Sequence, residues 1–107
     1  MTSVAVFRQD FLSEVDAASF WLAAHAGTAT AACFLDEVDS AIGRVERDPK
    51  SFRFDELFGA RRIHVSGFRY LVWFLPAGEI VKILALTHES MSDITVTRLV
   101  AGQARET

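Results

Sequence analysis

The chain has 107 residues, enough for one domain at roughly 100–200 residues each, and half of them are apolar, with nine Phe and two Trp. That composition excludes intrinsic disorder; six Gly, two Pro and no internal repeat exclude collagen-like, linker and solenoid readings. The net charge of −3 is uneven: residues 1–40 carry one basic residue against six acidic ones, whereas residues 41–75 carry seven basic against four acidic. A basic zone on an acidic protein implies one anion-facing surface or a mixed solvated face, not a wholesale nucleic-acid binder.

Ser3 to Phe7, rich in Val and Phe, reads as a short strand. Asp10 is placed to cap a helix from Phe11 to about His25, whose apolar positions Phe11, Val15, Ala18 and Leu22 fall on one face. Ala26-Gly27 stops it. Thr28 then caps a second helix to about Arg47, striped by Ala31, Leu35, Val38, Ile42 and Val45 and closed by Asp48-Pro49. So short a joint makes the two helices an antiparallel hairpin.

Pro49 to Ala60 is a polar-aromatic connector docked by its three Phe. From Arg61 the period changes to two, with Ile63 and Val65 on the buried side. After a Ser66-Gly67 turn, Phe68 to Leu75 is apolar on both faces: Phe68, Tyr70, Val72 and Phe74 on one, Leu71, Trp73 and Leu75 on the other. Such a strand is central and covered on both sides. Pro76-Ala77-Gly78 is the expected next turn, and Glu79 to Thr87 the next strand, interrupted only by Lys82. Ile94 to Val100 reads as a last strand or a short helix, with a tail after it. The order β-α-α-β-β-β defines a small α+β domain, an αα-hairpin packed on one face of a mostly antiparallel sheet.

No apolar run approaches the roughly 18 residues of a membrane helix, and no secretory signal is expected, so the chain reads as cytoplasmic and without membrane attachment. The single Cys33 reads as a small buried hydrophobe, and Trp21 and Trp73 as core. His25, His64 and His88 lack metal-ligand spacing, and no phosphate loop or nucleophile elbow is present, so no metal or cofactor is expected.

Several strings, in order along the chain, resemble the RelE/ParE superfamily of type II toxin–antitoxin toxins over about residues 4–100. They are Ala31-Ala32-x-Phe34-Leu35-x-x-Val38-x-x-Ala41-Ile42, the Gly59-x-Arg61-Arg62 entry to a strand, Gly67-Phe68-Arg69-Tyr70-Leu71-Val72-Trp73-Phe74, and Ile80 to His88. One departure stands out: Met91-Ser92-Asp93 occupies the place where many members carry Arg-Asp after the final histidine. The resemblance implies a growth-arresting toxin silenced by a cognate antitoxin in a toxin–antitoxin hetero-oligomer. Its target is DNA gyrase on the ParE side of the superfamily, or ribosome-bound mRNA on the RelE side. The protein is expected to express poorly without its partner.

Cleaving RNA needs a base, an acid and cations for the transition-state phosphorane. With two Lys, and its one Tyr in mid-strand, the chain does not match the Lys-rich members with a C-terminal Tyr. A Glu/Arg/His set has candidates: Glu56 as base, Arg62 and Arg69 as phosphate clamps, and His88 as acid, near its working pH by nature. Arg61, Arg62, Arg69 and Lys82 are the candidate binding cations. The bland alternatives are a solvated loop carboxylate for Glu56, a sheet-end histidine bonded to a carbonyl for His88, and solvated arginines at a strand start. With so thin a catalytic set, target binding is the leading reading, cleavage the second, and a degenerate antitoxin-binding domain the third.

Overall fold

Helical patterning up to Arg47 after a first short strand, and period-two patterning from Arg61 to the end of the last strand, produce the expected layers. The computed structural model describes residues 2–102; most of the expected tail beyond residue 100 lies outside them. In chain order the elements are β1 (Val4–Phe7), α1 (Gln9–Ala26), α2 (Thr28–Arg47), a 3-10 turn (Pro49–Ser51), β2 (Phe54–Asp55), β3 (Ala60–His64), β4 (Tyr70–Ala77), β5 (Ile80–His88) and α3 (Asp93–Ala101). The sheet order is β1-β5-β4-β3-β2, with β1 parallel to β5 and the other neighbours antiparallel. One feature departs from the sequence reading: the connector contributes a two-residue edge strand. Of the two alternatives for the segment after His88 the short helix holds, capped by the Ser92 side chain, which accepts from the Thr95 amide.

Several boundaries also shift. Arg8, extended at φ −71° and ψ 141°, precedes α1, and Asp10 sits inside the first turn, where its charge meets the positive helix end instead of capping it. Thr28 is the first residue of α2; Gly27, at φ 98°, makes the joint, a conformation that costs a side-chain-bearing residue. The β4–β5 hairpin turns on Gly78-Glu79, and Pro76 lies within β4 opposite Val81. Proline fits there because even-numbered residues of β4 aim their amides at β3, which ends its pairing at Phe74.

The sheet is buried on both faces. On one, Phe11, Ala18 and Leu22 of α1 and Ala31, Phe34, Val38 and Val45 of α2 pack against strand residues such as Val72, Phe74, Val81 and Ile83. On the other, Val96 and Val100 of α3 cover Trp73, Leu84 and Ala85. The two apolar faces of β4 therefore each have a partner, as its alternation implied. The stripe of α2 holds at Ala31, Val38, Ile42 and Val45, but Phe34, wholly buried, takes the place expected of Leu35, which is 40% exposed. Cys33 and Trp21 also face solvent, because only a narrow stripe of each hairpin helix reaches the sheet. Trp73 is core as expected, its indole N–H donating to Thr87 Oγ1 at 2.8 Å.

A bulge on β5 sets the facing of every residue between it and the strand's end. Trp73 pairs with Ala85 and Phe74 with Ile83, so Leu84 is an extra residue. Beyond it the faces exchange: Leu86 joins the core under the helices and Thr87 turns toward Trp73. Because β1 ends opposite Ile83, the Leu86 N–H lacks a strand partner, and Glu14 of α1 accepts it at 2.9 Å. Burial pushes the Glu14 carboxyl above its ordinary value, against the opposing pull of that hydrogen bond. At the outer edge of the sheet, Glu46 of α2 takes the Ser3 amide with its carbonyl and the Ala5 amide with its carboxylate.

Candidate functional site

The bulge sets the last rung of the β4–β5 ladder. A plain two-residue hairpin turning on Gly78-Glu79 would pair Tyr70 with Thr87; the extra residue pairs Tyr70 with His88. Their rings meet edge to face at 4.9 Å, and Tyr70 leans on Phe34 at 5.2 Å. Partial burial pushes the Tyr70 phenol up, so it stays neutral at physiological pH. His88 Nδ1 accepts the Ser90 amide at 3.1 Å, with Ser90 Oγ at 2.8 Å. That backbone donor assigns Nδ1 as acceptor, so the neutral ring carries its proton on Nε2.

Glu89 organises the other side of the same sheet end. Its carboxylate meets His64 Nε2 at 3.1 Å and Arg69 Nε at 3.5 Å, and its amide donates to the Arg69 carbonyl at 2.9 Å. The Arg69 side chain is 80% exposed and lies in the bend before β4, not on a strand face. The charge pairs here contribute roughly 0–1 kcal/mol because water screens them.

The remaining sequence candidates lie elsewhere. Glu56 is exposed in the β2–β3 turn, at the end of the sheet opposite His88. Arg61 donates to the carbonyls of Phe52 at 2.7 Å and Lys50 at 3.4 Å, which binds the connector to β3. Arg62, on the opposite face, pairs with Asp55 at 3.4 Å and lies over the Trp73 ring at 5.7 Å. The Arg61–Phe74 rung is four β4 residues from the Tyr70–His88 rung, about 13 Å at strand rise. Lys82, opposite Leu75, is farther still and exposed. Of the candidates, then, only Arg69 and His88 come to one end of the sheet; Arg61 and Arg62 serve the connector. Tyr70, His64 and Glu89, which the sequence reading did not single out, complete the His88 end. Their common signal is the hairpin register, which only the bulge sets.

A second feature is a groove of about 330 Å³ between α1 and α2, lined by Phe11, Leu12, Val15, Val38 and Ile42 and rimmed by Asp39 and Glu46. Among the described residues no three His, Cys, Asp or Glu side chains gather to hold a metal ion, and no helix is long and apolar enough to cross a membrane.

No family model matches this sequence, and no curated protein matches it. Among solved structures, the chain is similar to one from the chromosomal ParDE TA system of P. aeruginosa. The TM-score is 0.72 at 16% identity, over 82% of this chain and 96% of that one. This chain has the ParE/RelE-like fold. Within that ParE-like fold, the helical hairpin supplies the apolar groove, the ends of β4 and β5 supply the His88 cluster, and α3 covers the far face of the sheet.

Proposed function

We propose that this chain is the toxin of a type II toxin–antitoxin pair, a cytoplasmic protein that arrests bacterial growth and is neutralised by a cognate antitoxin. The observation that carries this reading is the ParE-like fold, matched over 96% of a chain from a ParDE TA system. Action by binding a protein target, with DNA gyrase as the first candidate, is favoured by the dispersal of the cations: Arg61, Arg62 and Lys82 lie well away from His88. The groove between α1 and α2 supports an antitoxin that docks an amphipathic helix. Strand addition at β1 is disfavoured, since Glu46 already takes the outward amides of Ser3 and Ala5.

Inducing this protein alone and pulse-labelling DNA and protein synthesis within minutes tests the reading. An early stop in DNA synthesis, with loss of gyrase supercoiling by the purified protein, is the expected result. Normal supercoiling at excess protein eliminates gyrase as the target, and no growth effect at all leaves a degenerate, antitoxin-binding domain.

One observation favours a second reading, mRNA cleavage: the His88 Nε2–H, Tyr70 and Arg69 share one end of the sheet, a donor pair beside a cation. On that reading protein synthesis stops first, and His88→Ala abolishes toxicity with the fold intact. A fully toxic His88→Ala variant removes it.

A further inference from the structure

Between Asp16 and Asp36 the chain carries no Asp, Glu, Lys or Arg. That stretch is about the last three turns of α1, the Gly27 joint and about the first two turns of α2, so it forms the tip of the helical hairpin. Phe20 is 79% exposed there and Trp21 54%. Phe20 lies two residues from Ala18 and two from Leu22, both buried against the sheet, and so projects from the opposite side of α1. Ala24, one turn on, shares that side, and Ala29 and Ala32 are exposed on α2. A large apolar knob and a run of small residues thus share one solvent-facing surface.

Trp21 is held in place. Its indole stacks on the His25 ring at 4.1 Å and 13°, and His25 Nδ1 donates to the Trp21 carbonyl at 2.9 Å; a carbonyl only accepts, so Nδ1 carries a proton. Docking through a ring fixed in this way costs little side-chain entropy. At the usual size of aromatic side chains, Phe20 and Trp21 alone expose about 300 Å². The exposed alanines and the partly covered Leu35 bring the tip to roughly 600 Å², the share one partner contributes to a weak, reversible interface.

We infer that the hairpin tip docks against the tip of a second copy of this chain, forming a weak two-fold dimer. A two-fold contact turns one patch onto itself, so any charge within it meets its own kind. The charges that bound the tip, Asp16 on α1 and Asp36, Glu37 and Asp39 on α2, are all acidic, and the chain as a whole carries −3. The uncharged tip is where two such copies meet without repulsion. Self-complementarity also needs a knob and a surface to receive it on the same patch, which Phe20 and the alanines supply. Two helical hairpins joined in this way make a four-helix contact. A lipid surface is disfavoured, since the flanking carboxylates repel anionic headgroups. A partner helix in the α1–α2 groove occupies the other end of the hairpin, at Phe11, Val15, Val38 and Ile42, and leaves the tip open. The inference goes beyond the toxin reading and does not rest on it.

The test is sedimentation velocity of the full chain from about 5 μM to about 1 mM, where a monomer–dimer equilibrium in the micromolar range is expected. Raising NaCl from about 0.05 M to about 0.5 M should leave the dimer unchanged or strengthen it, because screening removes only the repulsion of net charge. Phe20→Ala should raise the dissociation constant about tenfold or more. Leu57→Ala, which trims another exposed apolar side chain in the β2–β3 turn, should leave it unchanged. Both side chains face solvent, so neither variant should unfold at a lower urea concentration than the parent. Monomer throughout the range, a dimer that salt dissociates, or a dimer weakened by Leu57→Ala and not by Phe20→Ala would each overturn the inference. A parent that stays monomeric but sediments with phosphatidylcholine vesicles would overturn it in favour of lipid. None of these results bears on growth arrest, so the dimer and the toxin reading fail separately.

Discussion

Phe34→Ala and Leu35→Ala, made side by side, test how α2 faces the sheet. The two residues are adjacent in sequence and about 100° apart around the helix. Phe34 is fully buried and in ring contact with Phe68 at 5.3 Å and Tyr70 at 5.2 Å. Truncating such a side chain removes its transfer free energy and leaves a cavity that the rigid sheet beneath cannot close, so the expected cost is about 3–5 kcal/mol. Leu35 is 40% exposed. Losing roughly 1.5–3 kcal/mol of full leucine burial, scaled by the part that is covered and offset by the better helix propensity of Ala, leaves about 1 kcal/mol. Urea unfolding followed by fluorescence, with Trp73 as the buried reporter, should place the two variants at least about 2 kcal/mol apart. For a domain of this size the Phe34 variant would melt some 15–30 °C lower. Equal costs, or a larger cost at Leu35, would refute the placing of Phe34 in the buried stripe and restore Leu35 there, as read from the sequence.

Three further outcomes are expected. Burial raises the folded pKa of Glu14 above 4.5, so the native state holds that proton more tightly than the unfolded chain. Its contribution to stability falls as pH rises from 4.5 to the raised value; Glu14→Gln should flatten that slope in urea titrations across pH 4–7, and an unchanged slope would contradict it. Gly102→Ala places a side chain at φ 67°, with its Cβ 2.7 Å from Arg8 Nη1, the group that bonds the carbonyls of Leu99 and Val100. It should cost about 1–2 kcal/mol and speed amide exchange in the last turn of α3, whereas unaltered exchange would show that Arg8 is not the cap. Thr87→Val keeps the shape but orphans the buried Trp73 indole N–H, for an expected loss of about 1–3 kcal/mol in chemical unfolding.

The distance between sequence and structure is largest where one residue changes a register. Tyr70 sits inside an apolar run, and nothing in that run distinguishes it from Phe74. It becomes part of a site because Leu84 is inserted opposite the Trp73/Phe74 step and His88 is carried to its rung. Arg61 and Arg62 were legible as a basic pair at a strand start, and their alternation put them on opposite faces. Their assignment to Phe52 and Asp55 was not legible, because β2 is only two residues long and has no pattern of its own. Trp21 and Cys33 read as core from residue type, yet only the side of each helix that meets the sheet is buried.

By itself the sequence determined the α+β class, the helical hairpin, the central strand apolar on both faces and the concentration of positive charge in the middle of the chain. These are local properties, carried by periods of 3.6 and 2 and by the punctuation at Gly27, Asp48-Pro49 and Ser66-Gly67. Only the tertiary structure decided the partner of His88 and the surrogate bonds of Glu14 and Glu46. Each of these depends on where one strand stops relative to its neighbour. Strand register is a balance among non-local hydrogen bonds and packing contacts, and no window of sequence contains both sides of it.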